Sequence, residues 1–400
     1  MVTSPSDRKS LAVMAFVFSL VIFGTLAVSY LARGYQISFR QGPTLTSTGL
    51  LSVTSKPKSA SVYINDRLTT ATDDTLNLPP GDYHIKITKD GYLPWDKDIQ
   101  IKKEVVFQTD AQLFRSAPDL KPITYAGAIN PTISNDGSKV IFAVASASAT
   151  QDNGLYLVEI TDNPLLINKN IPRQISPNYP GTDWSQASFE FSPNSRQFIA
   201  TFPGDIYLLS LDTPITSKSL LDITPQLASI KQDWQTQTDQ IIKAKIDKLP
   251  ASIQALVSTA SANDISFSTS EDKILYLAIK DANLPQNIIT PPPAQSTQQQ
   301  HRDIKSQNYY VYDLKDDTNF LIGPSLDIHQ PQWLPGSTNI IYNQSDKIKV
   351  VEYDSTNLKT VFAGKFDQNA IYVSADGNKI ITLTSAYHSA PENLYAITIR

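Results

Sequence analysis

The stretch Pro131-Thr132-Ile133-Ser134-Asn135-Asp136-Gly137-Ser138-Lys139-Val140-Ile141-Phe142 places a polar turn between two runs rich in β-branched residues. Val and Ile favour strands. Asp-Gly is a common hairpin turn because Gly readily adopts the left-handed conformation that such turns need. The stretch therefore predicts two antiparallel strands, and Leu155 to Ile160 predicts a third.

This unit recurs four more times along the chain. Each copy has a short strand, a Ser-x-Asp-Gly-like turn, a second strand and an aromatic-rich third strand after a gap. The further copies are 188–199 with 205–211, 264–277 with 309–314, 331–342 with 348–353, and 371–381 with 394–399. Once two insertions and the excess length of the loop-rich segment 161–186 are removed, the period is about 40 residues, which is typical of β-propeller blades.

We therefore predict an all-β chain whose residues 114–400 form a propeller of five blades, or six if 161–186 hides a degenerate blade. The units resemble TolB-like and WD-type propellers, whose blade turn is typically Ser-Pro-Asp-Gly, although the second and fourth units depart from that turn. The last unit lacks an outer strand, and an unpaired edge must be covered. Leu120 to Tyr125 is placed to supply that strand and to close the ring.

Two insertions interrupt the repeat. Residues 224–260 have helical spacing, with Thr224-Pro225 as the N-cap and first turn. Their apolar stripe consists of Leu227, Ile230, Trp234, Ile241, Ile242, Ile246 and Leu249. Residues 281–306, which contain Pro291-Pro292-Pro293 and Gln298-Gln299-Gln300, predict a disordered loop.

The N-terminal region contains an apolar run without charges, Leu11 to Leu31. About 20 such residues cross a bilayer as a helix. We predict a transmembrane anchor that follows a cytoplasmic tail at 1–10 and leaves the bulk of this single-pass protein outside the cytoplasm. The alternative is a cleaved signal peptide with Ala27-Val28-Ser29 near the cleavage site, although signal h-regions are usually shorter.

Residues 32–48 read as a tether, and 49–113 as a small β-domain of short strands bounded by turn residues. Three segments, Pro57 to Asp66, Leu78 to Tyr83 and Lys89 to Tyr92, resemble a PEGA domain. This resemblance implies a small β-sandwich with an extracytoplasmic adhesion or spacer role and no catalytic residues. The PEGA tetrad is here Pro57-Lys58-Ser59-Ala60, which keeps only its first and last residues.

Composition excludes several classes of function. The net charge is −4 with scattered Lys and Arg, which argues against nucleic-acid partners. The absence of Cys excludes disulfides, thiolate metal sites and a cysteine nucleophile. The four His residues show no metal-binding spacing, and no Gly-x-Ser-x-Gly elbow occurs. We therefore expect no enzymatic activity, cofactor or metal.

The sequence predicts a membrane-anchored binding or scaffold protein of the bacterial cell envelope, with an envelope protein or a cell-wall glycan as its partner. Tyr92 and Trp95 are candidate contacts for a sugar, with packing in the β-domain core as the alternative. Trp234 is either a helix anchor or a partner contact. A second hypothesis is a glycan hydrolase or lyase at a propeller face, for which Asp264, Asp327 and Asp376 are the carboxylates to test. A third is a scaffold that binds a membrane protein through the helical insertion.

Overall fold

The structure, a computed structural model, describes residues 5–32, 35–38, 44–160, 171–257, 265–385 and 391–400. The chain folds into two compact units. The first unit consists of Met1–Lys89, Pro94–Ala111 and Pro292–Thr297. The second unit consists of Asp90–Leu93, Gln112–Pro291 and Gln298–Arg400.

The predicted anchor lies within helix α1, Pro5–Ala32. Its described apolar side chains are exposed, as Phe16, Phe18 and Phe23 illustrate. Within the described ranges, no helix has the length and apolarity needed to cross a membrane. In the predicted tether, β1 (Tyr35–Ser38) pairs antiparallel with β2 (Thr44–Ser47).

The β-domain of the first unit has seven strands in two sheets. The strands are β3 (Gly49–Lys56), β4 (Ser61–Ile64), β5 (Arg67–Ala71), β6 (Asp74–Leu78), β7 (Gly81–Thr88), β8 (Trp95–Ile101) and β9 (Val106–Gln112). One sheet has the order β6-β3-β9 and the other β5-β4-β7-β8. Buried and less buried residues alternate along β3 and β4, as expected for strands with one face in a core.

Within its described part, the second unit contains six antiparallel sheets, and we call the five that have three or four strands blades. Blade 1 is β11 (Ile129–Ile133), β12 (Lys139–Val144), β13 (Gly154–Glu159) and β14 (Arg173–Pro177); blade 2 is β15 (Ser188–Phe191), β16 (Gln197–Thr201) and β17 (Ile206–Ser210). Blade 3 is β18 (Ile265–Phe267), β19 (Lys273–Ala278), β22 (Asn308–Asp313) and β23 (Thr318–Pro324). Blade 4 is β24 (His329–Trp333), β25 (Asn339–Gln344), β26 (Lys347–Glu352) and β27 (Lys359–Ala363). Blade 5 is β28 (Ile371–Val373), β29 (Lys379–Thr384), β30 (Asn393–Thr398) and β10 (Asp119–Pro122). Single 3₁₀ turns are Thr150–Asp152, Trp184–Gln186, Ser217–Ser219 and Thr224–Gln226.

The second unit is a β-propeller of five blades, and each predicted repeat corresponds to one blade. The described ranges contain no sixth blade, and 161–170 lie outside them. The predicted closure is also present, since β10 pairs antiparallel with β30 and completes the last blade. The hairpin turns are equivalent in four blades, where Gly137, Ser195, Glu271 and Gly377 each donate a backbone hydrogen bond three residues back and have a positive φ. The Ser-x-Asp-Gly pattern therefore marks the blades through its turn geometry, even where Gly is replaced.

Hydrogen bonds between inner strands hold four pairs of neighbouring blades together. Thr132 joins blades 1 and 2, and Tyr372 joins blades 5 and 1. Gln332 joins blades 4 and 5, and Trp333 joins blades 4 and 3. Blades 3, 4, 5, 1 and 2 are therefore linked in that order.

The helical insertion lies at the fifth junction, between blades 2 and 3. It contains α2 (Leu227–Ile246) and α3 (Ala251–Val257). Lys231 of α2 pairs with Glu190 of blade 2 at 2.8 Å, and Lys245 pairs with Glu271 of blade 3 at 2.9 Å. No side chain of α2 is buried, whereas Ile253 of α3 is fully buried in the core of blade 3. The insertion thus bridges blades 2 and 3, and α3 is its core element.

Residues 281–306, predicted to be a disordered loop, have a defined path in the structure. Two short strands, β20 (Ala282–Asn283) and β21 (Asp303–Ile304), pair where the segment leaves and rejoins blade 3. Leu284 and Ile304 are buried in the blade 3 core. The prediction of disorder was wrong because it followed the polar composition of the middle of the segment, whereas apolar residues at its two ends attach it to the blade 3 core.

Candidate functional site

A cavity of about 600 Å³ opens at the end of the propeller where the inner strands of blades 5, 1 and 2 begin. We call it the channel-mouth pocket. Its lining residues are 126–132, Ser146, Ser188, Phe189, Asp367, 369–370, Tyr372, Leu383 and 391–392. Cavities of this size that combine apolar walls with a few polar groups are the usual form of ligand sites.

A β-bulge shapes one wall of this pocket. The register between β11 and β12 shifts between Ile129 and Thr132, and Asn130 has a φ of 50°. Asn tolerates the left-handed conformation better than most residues. Blade 4 has the same arrangement, since the register of β24 shifts after His329 and Gln330 also has a φ of 50°. In both blades a proline follows, which places Asn130-Pro131 and Gln330-Pro331 at equivalent positions.

Three side chains of the pocket use their hydrogen-bond donors within the protein, while the lining residues Ser146, Ser188 and Asn369 carry further donors. Asn130 Nδ2 donates to Ala187 O at 2.8 Å, and Thr132 Oγ1 donates to Phe189 O at 3.3 Å. The Tyr372 hydroxyl donates to Pro131 O. Burial, reinforced by the negative charge of Asp367, raises the pKa of Tyr372 well above its ordinary value, so the phenol stays protonated and remains a donor. The groups left for a ligand are the carboxylates of Asp367 and Glu392, together with the Ser146 and Ser188 hydroxyls and the Asn369 amide, which can either donate or accept.

The pocket is also acidic. Its ionised lining residues, within the part of the chain that the structure describes, are Asp367 and Glu392, and no Lys or Arg lines it. Asp367 is half-buried, and its Oδ1 accepts a hydrogen bond from the backbone N–H of Asn369 at 2.9 Å. Glu392 is exposed. The pocket thus combines negative charge with acceptor groups.

A buried ionic cluster in blade 3 contrasts with this pocket because its charges are paired. Lys273 Nζ lies 3.3 Å from Asp272 Oδ2 and 3.1 Å from Asp313 Oδ2, and all three side chains are largely buried. Burial alone would raise the pKa of Asp272. The hydrogen bonds from Lys315 and Ser270 and the charge of Lys273 outweigh burial and hold this pKa far below its ordinary value. We therefore assign this cluster to stability.

The structure separates the sugar-contact candidates Tyr92 and Trp95. Trp95 is 3% exposed in β8, so its ring belongs to the core of the β-domain and is closed to a ligand. Tyr92 belongs to the second unit, where it bridges to Arg115, whose guanidinium carbon lies 6.0 Å from the ring centroid. Trp234 is half-buried on α2, between the two ion pairs of that helix.

The carboxylates considered for glycan chemistry do not converge. Asp264 lies outside the described residues. Asp327 precedes the inner strand β24 and is exposed, whereas Asp376 follows the inner strand β28. Inner strands of a propeller run in the same direction, so these two residues lie at opposite ends of the ring. Asp376 Oδ1 instead accepts a hydrogen bond from Asn378 N at 2.9 Å and caps its own turn.

The histidines also lie apart. His84 Nδ1 contacts Asp98 Oδ1 at 2.7 Å across two strands of the β-domain, and His329 lies at the start of blade 4. The backbone of His301 joins the segment 281–306 to Asn319, and His388 lies outside the described residues. Across the described ranges, no group of three or more His, Asp or Glu residues has a metal-binding arrangement.

Sequence reasoning did not identify the channel-mouth pocket, since its residues come from three blades. Asn130-Pro131 and Gln330-Pro331 were the available signal, because an Asn or Gln before Pro at the start of an inner strand is compatible with a bulge.

Residues 48–116 match the model of the PEGA domain. The chain therefore contains a PEGA domain. This domain corresponds to the strands β3 to β9, and it confirms the resemblance drawn from the sequence. No curated protein matches the chain.

Solved structures with detectable similarity include several propeller proteins. Putative TolB from Agrobacterium tumefaciens is 12% identical, with 88% of this chain and 99% of that chain covered and a TM-score of 0.22. An oligogalacturonate lyase in complex with manganese is 12% identical, with 69% and 65% covered and a TM-score of 0.23. Pyrococcus horikoshii acylaminoacyl peptidase is 11% identical, with 69% and 39% covered and a TM-score of 0.20. The chain thus spans less than two thirds of the lyase and of the peptidase, and similarities this low support no inference about activity.

Proposed function

We propose that this protein is a non-enzymatic binding or scaffold protein of the bacterial cell envelope. Its propeller binds a protein or cell-wall partner at the channel-mouth pocket, and its PEGA domain serves as a spacer. The observation that carries the proposal is the pocket itself, an open cavity of about 600 Å³ whose acidic residues Asp367 and Glu392 have no Lys or Arg beside them among the lining residues that the structure describes. Propellers present their loops at two faces, and loops on a rigid scaffold are where binding residues concentrate.

The location of the protein is part of this proposal. The apolar run Leu11 to Leu31 serves as the anchor, with residues 1–10 in the cytoplasm and both folded units outside. Protease added to intact cells tests this arrangement. Digestion of the propeller in intact cells is the expected result, and protection of the propeller until the cells are lysed would contradict it.

Retention on isolated envelopes tests the binding function. Asn369 is exposed and lines the pocket, so Asn369→Trp should fill the cavity without disturbing the core. Leu358, which is 51% exposed in blade 4 and does not line the pocket, provides the matched control Leu358→Trp. We expect full-length protein and the control to co-sediment with envelopes stripped of the native protein, and Asn369→Trp to be lost from the pellet. Equal retention of both variants would place binding elsewhere.

A further inference from the structure

We propose that the ligand of the channel-mouth pocket is a cationic peptide, that is, an extended segment of a partner protein that carries lysine or arginine. The inference rests on the proposed binding function and adds the chemical class of the ligand. Three properties of the pocket support it, namely its charge, its hydrogen-bond polarity and its apolar walls.

Charge complementarity is the first property. Asp367 and Glu392 are the ionised lining residues of the described pocket, and neither has a basic partner there. By contrast, the described exposed ion pairs Lys231–Glu190 and Lys245–Glu271 show carboxylates of the same propeller satisfied by its own lysines. A ligand with an ammonium or guanidinium group would supply the missing charge at Asp367 and Glu392.

Hydrogen-bond polarity is the second property. The side-chain donors of Asn130, Thr132 and Tyr372 are directed at backbone carbonyls of the neighbouring strands. These bonds join the blades, so a ligand cannot recruit the donors without weakening the ring. Asn130 Oδ1 and the two carboxylates remain as acceptors for the donors of a ligand, and the Ser146 and Ser188 hydroxyls and the Asn369 amide can accept as well as donate. Ammonium has three donors and guanidinium five, and neither has an acceptor.

The apolar walls suit the methylene stem of such a side chain. Ile129, Pro131 and Leu383 line the pocket beside the carboxylates. Tyr125, which directly precedes the lining residue Ala126, is 82% exposed, and an exposed aromatic ring can attract a cation. Long basic side chains commonly bury their stems on apolar surface while their charged ends meet polar groups.

The test is a titration of the full-length protein in a non-ionic detergent, followed by saturation-transfer NMR of the ligand. The probe is the N-acetylated, C-amidated peptide Ser-Gly-Lys-Ser-Lys-Gly-Ser. Its controls carry norleucine or glutamate in place of both lysines. We expect the lysine peptide to bind at least fivefold more tightly than either control in 20 mM salt, and to weaken in 300 mM salt, because exposed charges are screened.

Variants locate the binding. Asp367→Asn with Glu392→Gln removes both charges while Asn at 367 retains the Oδ1 that caps Asn369, so the turn is preserved. We expect this variant to bind the lysine peptide at least fivefold more weakly. Asp212→Asn with Asp233→Asn makes the same charge change at exposed sites outside the pocket and should bind as the parent does. If the double pocket variant fails to fold, Glu392→Gln alone, at an exposed position, should still weaken binding twofold or more.

Each other outcome overturns the inference. Equal binding of the lysine and norleucine peptides would leave a binding pocket but remove the cationic class. A loss of binding that is equal in the pocket and control variants would reduce the effect to overall charge. If no peptide binds, yet the parent protein is retained on envelopes and Asn369→Trp is not, then the proposed function stands and the ligand is not a cationic peptide.

Discussion

Truncation of Ile253 tests whether the helical insertion is part of the propeller core. Ile253 is fully buried in α3 and packs in the cluster that contains Ile265, Ile274 and Tyr276 of blade 3. Ile253→Ala removes three carbons, which at about 0.8 kcal/mol each corresponds to about 2.4 kcal/mol of lost burial. A cavity term adds to this, and the higher helix propensity of Ala offsets roughly 0.4 kcal/mol. We therefore expect the free energy of unfolding to fall by about 3 kcal/mol.

The assay is urea unfolding of the full-length protein in non-ionic detergent, followed by tryptophan fluorescence and by far-UV circular dichroism. The matched control is Ile241→Ala on α2, where the side chain is 57% exposed. Exposed substitutions of this kind usually change stability by less than about 0.5 kcal/mol. An unchanged m-value in both variants would show that the substitution changes the stability and not the surface area exposed on unfolding.

A loss below about 1 kcal/mol for Ile253→Ala would refute the packing argument. It would mean that α3 is separable from blade 3, and that the ring does not depend on the insertion between blades 2 and 3. An equal loss in the two variants would also count against the argument, because it would remove the distinction between a buried α3 and a peripheral α2.

Three further predictions follow from the fold. Trp95→Ala should destabilise the PEGA domain by about 3 to 5 kcal/mol in urea unfolding, as expected for a ring that is 3% exposed. A change below about 1 kcal/mol would show that the Trp95 ring is not part of the core and would restore it as a candidate sugar contact. Lys121→Pro should destabilise the propeller by about 1 to 3 kcal/mol in urea unfolding, because the Ile123 N–H donates to Leu394 O and the alternation of an antiparallel ladder then directs the Lys121 N–H at Ala396 O. In the control Leu120→Pro, the lost N–H points away from β30, so the loss of stability should be less than half as large. A larger loss for Leu120→Pro than for Lys121→Pro would contradict the register. The pKa of Asp272 is lower in the folded state than in the unfolded state, so its stabilising contribution is present at neutral pH and is lost as the pH falls below about 4 towards the folded pKa. Asp272→Asn should therefore lower the melting temperature at pH 7 and make it fall less steeply between pH 7 and acid pH. An unchanged dependence of the melting temperature on acid pH would show that Asp272 does not cause the acid destabilisation.

Much of the propeller could be predicted from the sequence because its signals are local. The turn at Ser134 to Gly137 and the strands on either side of it are specified by adjacent residues, so each repeat indicates a blade. Closure by β10 was also predictable, because the last repeat ended one strand short and the segment before the first repeat was available. In the PEGA domain, β5 and β6 cannot be recognised from the sequence, because most of their residues are polar and exposed and show no apolar alternation.

The candidate site could not be predicted in this way. Asp367, Asn130 and Glu392 are far apart in sequence and meet only because the ring brings blade 5 beside blade 1. The roles of Trp95 and Tyr92 depended on burial, which spacing alone does not fix when both readings fit a small β-domain. Likewise, the acidic turn at Asp376 looked like a candidate catalytic carboxylate until its hydrogen bond to Asn378 N identified it as a turn cap.

The most direct test of the binding account is photo-crosslinking from within the pocket in intact cells. A photoreactive phenylalanine derivative placed at Asn369 should give discrete crosslinked products, and the same group at Leu358 should not. The products at position 369 should disappear when Asp367→Asn and Glu392→Gln are added. Products that are the same at both positions would contradict the claim that this propeller binds its partner at the channel-mouth pocket. Products specific to position 369 that persist after the pocket carboxylates are neutralised would contradict only the cationic class of the ligand.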